Sequence, residues 1–171
     1  MPTSSSTREL RGQRVVLRPP VADDAETLRA IHSTPEVAAW WNLPPERFPF
    51  DADPETTYLT IWHEDAMAGF LQFSQEQEPD YRHAWIDLFV DPRRHRTGLG
   101  TDAMQTVIRH LVEDLGHHRI LIDPAVDNEA AIGCYQKVGF RRVGRMRSAW
   151  RDRDGTWRDA LLMELVVAPH G

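Results

Sequence analysis

The chain has 171 residues, of which 41% are hydrophobic, and it carries a formal net charge of −6 at pH 7. This amount of apolar material supports one hydrophobic core, and no apolar run is long enough to cross a bilayer. The acidic balance argues against a nucleic-acid-binding protein; it suits a cationic partner, although solubility alone accounts for the same charge.

The N-terminal residues 1–10 predict a flexible tail ahead of a single domain over residues 11–168. They lack the basic flank and the apolar block of a secretion signal. The single cysteine, Cys134, excludes an internal disulfide framework and fits a reducing compartment. We therefore expect a cytoplasmic protein.

The domain begins with a strand, two helices and a loop. Residues 13–18 (QRVVLR) are rich in β-branched residues and stop before two prolines, which predicts a strand. Apolar residues at helical spacing predict a helix from Ala25, and Pro35 is suited to begin a second, shorter helix. Residues 42–54 contain four prolines and two phenylalanines, which indicates an irregular loop. A loop of this length inside a compact domain is often functional, for example as a lid.

The rest of the chain is predicted to form consecutive strands first, and then strands that alternate with helices. Turn residues Glu64-Asp65 and Asp154-Gly155 predict two hairpins. Because strands come first and helices follow between later strands, we expect an α/β (α+β) fold with a mixed sheet and helices on both faces. The predicted strands cover residues 56–63, 66–74, 83–90, 119–123, 141–149 and 157–167, and the predicted helices cover residues 98–115 and 128–137.

A glycine-rich turn, RRHRTGLGTDAM over residues 93–104, opens the longer of these helices. Gly98 and Gly100 permit positive φ and close approach of a ligand, and a helix start adds unsatisfied N–H groups. The turn is therefore a candidate site for phosphate or diphosphate, and the alternative is a tight connection without a ligand. No Lys-Ser/Thr follows Gly100, which excludes a P-loop, and a dinucleotide fingerprint would normally follow the first strand. Three arginines add local positive charge, namely Arg93, Arg94 and Arg96.

Two carboxylates occupy unusual positions in predicted strands. Asp87 shares one face of its strand with Trp85 and Phe89, and an acid among apolar neighbours needs a partner. Asp123 ends an apolar strand, at the carboxyl edge where open α/β sheets bind ligands. The functional interpretation is a site for a cationic amine, and the alternative is that each acid caps a loop or pairs with an arginine. The eight histidines are scattered, and His117-His118 lacks spaced partner ligands, so we expect no metal site.

A second motif, DNEAAIGCYQKVGF over residues 127–140, follows about thirty residues after the glycine turn. Its Asn-x-x-Ala-x-x-x-Tyr-x-x-x-Gly-Phe pattern, together with the glycine turn, resembles the GNAT superfamily of N-acetyltransferases. In the glycine turn, His95 takes the position where the family has Arg or Gln. The resemblance implies a GNAT fold, with a mixed, mostly antiparallel central sheet of about six or seven strands flanked by helices on both faces.

The same resemblance implies acetyl-CoA as the cofactor. Its pantetheine arm is expected between the strands that end at Val90 and Asp123, with Asn128 as a hydrogen-bond partner. Tyr135 is expected beside the sulfur, where a phenol can protonate the departing thiolate; the alternative is a half-buried helix tyrosine. Cys134 is expected to be a core residue and not a nucleophile. The cofactor-binding residues implied are Phe89, Val90, His95, Arg96, Thr97, Gly98, Leu99, Gly100, Thr101, Asn128 and Tyr135.

Within the superfamily, three segments resemble parts of the aminoglycoside 6′-N-acetyltransferases. They are Trp40-Trp41, Ile86-Asp87 and residues 122–140 (IDPAVDNEAAIGCYQKVGF). This similarity implies Asp87 and Asp123 as acceptor-binding and catalytic residues, and Trp40 or Trp41 as part of the acceptor pocket. The expected partner is a cationic small-molecule amine, with neither nucleic acid nor a membrane involved. Alternatives are acetylation of another metabolite, a siderophore precursor or a protein amine, and a non-catalytic acyl-CoA sensor. Both a monomer and a homodimer fit the sequence.

Overall fold

The computed structural model describes residues 8–168, in which eight strands form one sheet and four α-helices connect some of them. The strands are β1 Leu10–Arg11, β2 Val15–Arg18, β3 Thr56–His63, β4 Ala66–Glu76, β5 His83–Val90, β6 Arg119–Ile122, β7 Arg141–Arg151 and β8 Trp157–Val166. The helices are α1 Ala25–His32, α2 Pro35–Ala38, α3 Leu99–Arg109 and α4 Glu129–Val138. The strand order is β1-β2-β3-β4-β5-β6-β8-β7, and the β5–β6 pair is parallel whereas the other pairs are antiparallel.

Helices cover both faces of this sheet. Side chains along β5 alternate, so Ile86 and Phe89 point to opposite faces. Ile86 lies in a core cluster with Met104 of α3 and Ile132 of α4. Phe89 lies in a second cluster with Leu28 of α1. The predicted mixed sheet with helices on both faces is therefore confirmed.

Strands β5 and β6 diverge part-way along their length. Their pairing is limited to Ala84 with Ile120 and Trp85 with Leu121. Beyond these pairs the two strands continue toward the start of α3 without a shared ladder in the described residues. The end of the ladder leaves backbone groups of both strands unpaired in the middle of the sheet, at a place called the β5–β6 opening below.

The loop over residues 42–54 contains no helix or strand, as its prolines predict. The guanidinium of Arg29 in α1 holds it by donating to the carbonyl oxygens of Pro45, Glu46 and Phe48 at 2.7, 2.6 and 3.1 Å. The side chain of Phe48 is buried in the second core cluster. The loop therefore packs as part of the fold on the α1 face, and its role as a lid stays a prediction.

The structure corrects several predicted boundaries. The sheet has eight strands and not six or seven, because the two-residue β1 is too short to show a periodic pattern and is fixed by pairing Leu10 with Leu17. Residues 1–7 of the predicted tail lie outside the described residues, and its last residue, Leu10, belongs to β1. The predicted helix 98–115 begins at Leu99 and becomes a π-helical turn over His110–Asp114. The domain boundary at residue 11 stays a prediction.

None of the helices in the described part of the chain is long and apolar enough to cross a membrane.

Candidate active site

The connection from β5 to α3 presents backbone N–H groups at a helix start. Gly98, the N-cap of α3, has a φ of 82°, in the left-handed region that favours glycine. Gly100 allows close packing on β5, because a Cβ there would lie 3.3 Å from a methyl group of Val90. The first hydrogen bond of the helix joins the Asp102 N–H to the Gly98 carbonyl at 3.0 Å. The N–H groups of residues 98–101 thus have no acceptor within the described chain, and this arrangement fits a diphosphate.

The preceding part of the loop is held by its own polar groups. The His95 Nε2 atom lies 2.9 Å from the carbonyl oxygen of Val90, and the Thr97 hydroxyl donates to the Arg94 carbonyl at 2.5 Å. His95, at the position where the family has Arg or Gln, therefore ties the loop back to the end of β5. The His95 side chain therefore contributes to the site by fixing the shape of the loop.

The three arginines of the loop are not equivalent. The guanidinium of Arg93 pairs with the buried carboxylate of Asp91 at 2.7 Å, and this hydrogen bond holds the pKa of Asp91 below its ordinary value. The Arg93 side chain is therefore held at the end of β5. Arg94 and Arg96 remain as the cations of this loop that fit further phosphate groups.

In the same loop, Leu99 presents its backbone, whereas Thr101 makes a contact through its side chain. The side chain of Leu99 is buried in the core, so only its backbone N–H faces the helix start. The Thr101 hydroxyl lies 3.5 Å from the sulfur of Cys134 in α4. This contact joins the start of α3 to the middle of α4, and it is consistent with the expectation that the half-buried Cys134 is a packing residue.

The second motif forms α4, which follows the carboxyl end of β6. Asn128 is the N-cap, and its side-chain oxygen accepts the Ala131 N–H at 3.3 Å, which leaves its amide N–H groups available as donors. Tyr135 is 8% exposed, and its hydroxyl makes no hydrogen bond with the residues that the structure describes. Burial raises the pKa of the Tyr135 phenol, and the carboxylate of Asp87 raises it further. The phenol therefore keeps its proton at neutral pH and can donate it.

Asp87 and Asp123 lie at the β5–β6 divergence, on the walls of one small cavity. Burial raises the pKa of Asp87 to about 7, with a further contribution from the negative charge of Asp123. Burial also raises the pKa of Asp123. Neither acid forms an ion pair with a cation of residues 8–168, so the arginine-pairing alternative does not apply there. The cavity measures about 160 Å³ and is lined by Thr56, Gln72, Phe73, Ser74, Trp85, Ile86, Asp87 and Asp123.

The backbone of β5 supplies donors on the side of the opening. The Asp91 N–H donates to the Ala68 carbonyl of β4, so by strand alternation the N–H groups of Leu88 and Val90 face away from β4. The Leu88 N–H donates to the side-chain oxygen of Asp87 at 2.9 Å. Val90 therefore offers the freer of these two N–H groups to a ligand, and Asp87 competes with a ligand for the other.

The two tryptophans differ in their surroundings. Trp41 packs edge-on against Phe89 of β5, with ring centroids 5.2 Å apart, whereas Trp40 is 38% exposed. The Trp41 carbonyl accepts a hydrogen bond from Nε of Arg153 in the β7–β8 turn at 2.9 Å. Of the two predicted pocket residues, Trp41 is the one that contacts the strand carrying Asp87. Trp40 has no ring–ring contact of this kind within residues 8–168.

Sequence reasoning missed two residues that the fold brings to this region. His32 at the end of α1 is 3% exposed, packs edge-on to Phe89 at 5.3 Å, and has an Nδ1 atom without a partner in residues 8–168. Burial lowers the pKa of His32, which keeps the ring neutral. Arg153 reaches Trp41 across 112 positions of sequence. No sequence pattern marks either residue, because helical spacing explains His32 and turn composition explains Arg153.

Comparison with known proteins identifies the family. Residues 24–140 match the acetyltransferase (GNAT) family model. The chain is 30% identical over 161 residues to the L-amino acid N-acetyltransferase AaaT of Escherichia coli, a match that covers 89% of this chain and 98% of that protein. It is 33% identical over 94 residues to the mycothiol acetyltransferase of Paenarthrobacter aurescens, but it spans only 28% of that longer protein and the match covers 53% of this chain.

The fold is also shared with solved structures. The spermidine N-acetyltransferase from Vibrio cholerae, in complex with CoA and spermine, superposes with a TM-score of 0.76 at 17% identity, over 90% of this chain and 95% of that one. The predicted GNAT fold is thus confirmed, with one or two strands more than expected. With its glycine turn, diverging strands and buried tyrosine, the chain belongs to the acetyltransferase (GNAT) family, whose enzymes use acetyl-CoA as the acyl donor.

Proposed function

We propose that this N-acetyltransferase transfers the acetyl group directly to the primary amine of a cationic small molecule bound between Asp87 and Asp123. The observation that carries the proposal is the placement of two carboxylates without cation partners at the β5–β6 opening, near the hydroxyl of Tyr135. An ammonium group is the complement of such a site, because its positive charge is attracted by both carboxylates. The acceptor is thereby drawn to the end of the opening where the tyrosine lies.

The residues around the opening suit acetyl-CoA, which supplies an activated acetyl thioester when bound. The N–H groups of residues 98–101 are suited to the diphosphate, and the unpaired edge of β5 near Val90 is suited to the amide groups of the pantetheine arm. The free amide N–H groups of Asn128 add a donor at the start of α4. Phe89 offers the cofactor no free group, because its side chain is buried on the α1 face and, by the same alternation, its backbone groups face β4.

Asp87 is suited to accept a proton from the incoming ammonium. A primary amine is protonated below about pH 10 and must lose its proton before it can act as a nucleophile. A carboxyl group with a pKa of about 7 is a stronger base than an ordinary aspartate, so it removes that proton more readily, directly or through one water. Asp123 increases the attraction for the ammonium and is the second candidate for the base.

Tyr135 is suited to assist the leaving group. Aminolysis of a thioester expels a thiolate, which is stabilised by a positioned proton donor. The phenol keeps its proton because its pKa is raised, and its hydroxyl has no competing partner within the described residues. A non-catalytic acyl-CoA sensor would need neither this donor nor the paired carboxylates, so the site favours an enzyme over a sensor.

The finer proposal for the acceptor is the 6′-amine of an aminoglycoside. It is supported by the two acids, which suit an acceptor with more than one ammonium group, and by the aromatic ring of Trp41 beside β5. Aromatic faces and carboxylates together are a common environment for multiply charged amines. Polyamines share this chemistry, and the V. cholerae structure holds spermine.

A second candidate acceptor is the amine of an amino acid. Its support is Arg153, whose Nη atoms have no acid partner in residues 8–168, although Nε is fixed on Trp41. The neighbouring acids Asp152 and Asp154 are both paired with Arg158. Arg153 therefore presents an uncompensated guanidinium beside Trp41, suited to a carboxylate. The E. coli relative is named for L-amino acids, which is the same chemical class.

A thiol-release assay distinguishes these acceptors. Wild-type protein and acetyl-CoA are tested against aminoglycosides, polyamines, amino acids and short peptides, with D87N and R153Q as variants. Turnover of multiply charged amines that falls in D87N but not in R153Q supports the aminoglycoside-type acceptor. Turnover of amino acids that falls in both variants supports the second candidate. Failure of every amine, with acetyl-CoA still bound, contradicts amine acetylation.

A further inference from the structure

The first residue of β2 and the two residues before it are anchored on the first turn of α3 by a single carboxylate. The Asp102 side chain, 9% exposed, accepts the N–H groups of Gln13, Arg14 and Val15 at 3.1, 2.7 and 2.9 Å. These three donors lie 87 to 89 positions away in sequence. One helix residue thus fixes the backbone on both sides of Arg14.

The close approach of the two segments depends on Gly12. A Cβ at this position would lie 2.5 Å from the hydroxyl oxygen of Thr106 and 2.8 Å from the carboxylate of Asp102. No side chain fits at these distances, so the chain crosses α3 with its backbone directly against the helix. The position of Arg14 relative to the β5–α3 loop is therefore set by packing and by the Asp102 hydrogen bonds together.

From this anchor, the side chain of Arg14 reaches the cofactor loop. Its Nη1 atom donates to the carbonyl oxygen of Thr97 at 2.5 Å. The Thr97 carbonyl and the Gly98 N–H belong to one planar trans peptide, in which they point in opposite directions. By holding the carbonyl on its own side, Arg14 directs the Gly98 N–H to the other side of the loop. This N–H is one of the donors suited to the diphosphate of acetyl-CoA.

We infer that Arg14 is a positioning residue for the cofactor diphosphate, acting through the Thr97–Gly98 peptide and not by contact with the phosphates. The inference rests on membership of the acetyl-CoA-dependent family and is independent of which amine is the acceptor. Two effects contribute. The peptide is held in the orientation that presents its N–H, and a cationic donor on the carbonyl polarises the amide so that its N–H is a stronger donor. Arg14 is exposed, so its side chain is not required to fill the core.

The test compares two ligands that differ in the diphosphate. CoA and pantetheine, which lacks the diphosphate and the nucleotide, are titrated calorimetrically into wild type, R14Q and R14K. We expect R14Q to weaken CoA binding about tenfold, the size of one hydrogen bond to a charged group, and to leave pantetheine binding unchanged. R14K keeps the positive charge and can still donate an N–H to the carbonyl, so we expect it to recover part of the loss. The matched control is R11Q, since within residues 8–168 the Arg11 side chain pairs only with Glu9 and is 71% exposed.

Three results would overturn the inference. Unchanged CoA affinity in R14Q removes Arg14 from cofactor binding. Equal weakening of CoA and pantetheine shows that Arg14 supports only the general fold of the site. A loss in R11Q as large as that in R14Q attributes the effect to net charge. None of these results depends on an amine acceptor, so they leave the proposed acetyl transfer to be judged separately.

Discussion

Asp87 is predicted to lower the stability of the folded protein while serving the reaction. Its pKa is about 7 in the fold and 3.8 ordinarily, a difference of about three units. Each pKa unit corresponds to ~1.4 kcal/mol, so the ionised carboxylate lowers the free energy of unfolding by at most ~4 kcal/mol. Asn has nearly the same shape, and its side-chain oxygen can still accept the Leu88 N–H that Asp87 accepts at 2.9 Å. The substitution D87N removes the charge and keeps this contact.

The sign of the effect follows from the direction of the shift. Because the folded pKa lies above the unfolded one, the unfolded state loses its proton first as the pH rises. Wild-type protein therefore loses stability relative to D87N between about pH 4 and about pH 7, and the difference stays constant above about pH 7. We expect D87N to be the more stable protein at neutral and higher pH, although it is the less active one.

Urea unfolding of both proteins at several pH values from about 5 to about 8 measures this difference directly. The control is D65N, which removes one negative charge from the exposed β3–β4 turn and so measures the effect of net charge alone. A difference between D87N and wild type that is flat across the range would refute the argument, since it would mean that Asp87 titrates like an ordinary exposed aspartate.

Three further predictions concern catalysis. Y135F should lower the turnover number on the order of a hundredfold and leave the calorimetric Kd for CoA unchanged, because only the proton donor is lost; unchanged turnover would remove Tyr135 from the mechanism. In wild type, kcat/KM for the amine should rise with pH through about 7, as Asp87 ionises, and D87N should lose this inflection; an inflection that persists in D87N assigns it to another group. R153Q should raise KM for acceptors that carry a carboxylate about tenfold and spare simple polyamines, as measured by thiol release; equal effects on both classes would contradict a carboxylate contact.

The sequence was sufficient to predict the elements with strong periodic patterns. The strands around Ile61 and Ile86 and the helix that contains Met104 were predicted because alternation and helical spacing follow directly from which face is buried. β1 was missed because two residues carry no period, and it is fixed only by its partner Leu17. The π-helical turn at His110–Asp114 was likewise invisible, because its apolar spacing is close to that of an α-helix.

Some features of the site depend on neighbouring residues in the sequence, and others depend on contacts between distant positions. The positive φ of Gly98 could be predicted from sequence because it depends on the neighbouring residues of a tight turn, whereas Asn128 was singled out only by the family motif. The contacts of Arg14 with Thr97 and of Arg153 with Trp41 join positions 83 and 112 residues apart, and no local pattern encodes them. They depend on where the sheet places each segment, so they were found only in the folded structure.

The most direct test of amine acetylation at this site is mass spectrometry of the acceptor after incubation with acetyl-CoA, with wild type and the double variant D87N/D123N. The account predicts that wild type yields an amine that carries one added acetyl group, attached at nitrogen, and that the double variant, although folded and able to bind CoA, yields almost none. Equal product from both proteins would contradict the assignment of the two carboxylates, and the absence of product from wild type with every amine tested would contradict acetyl transfer to an amine.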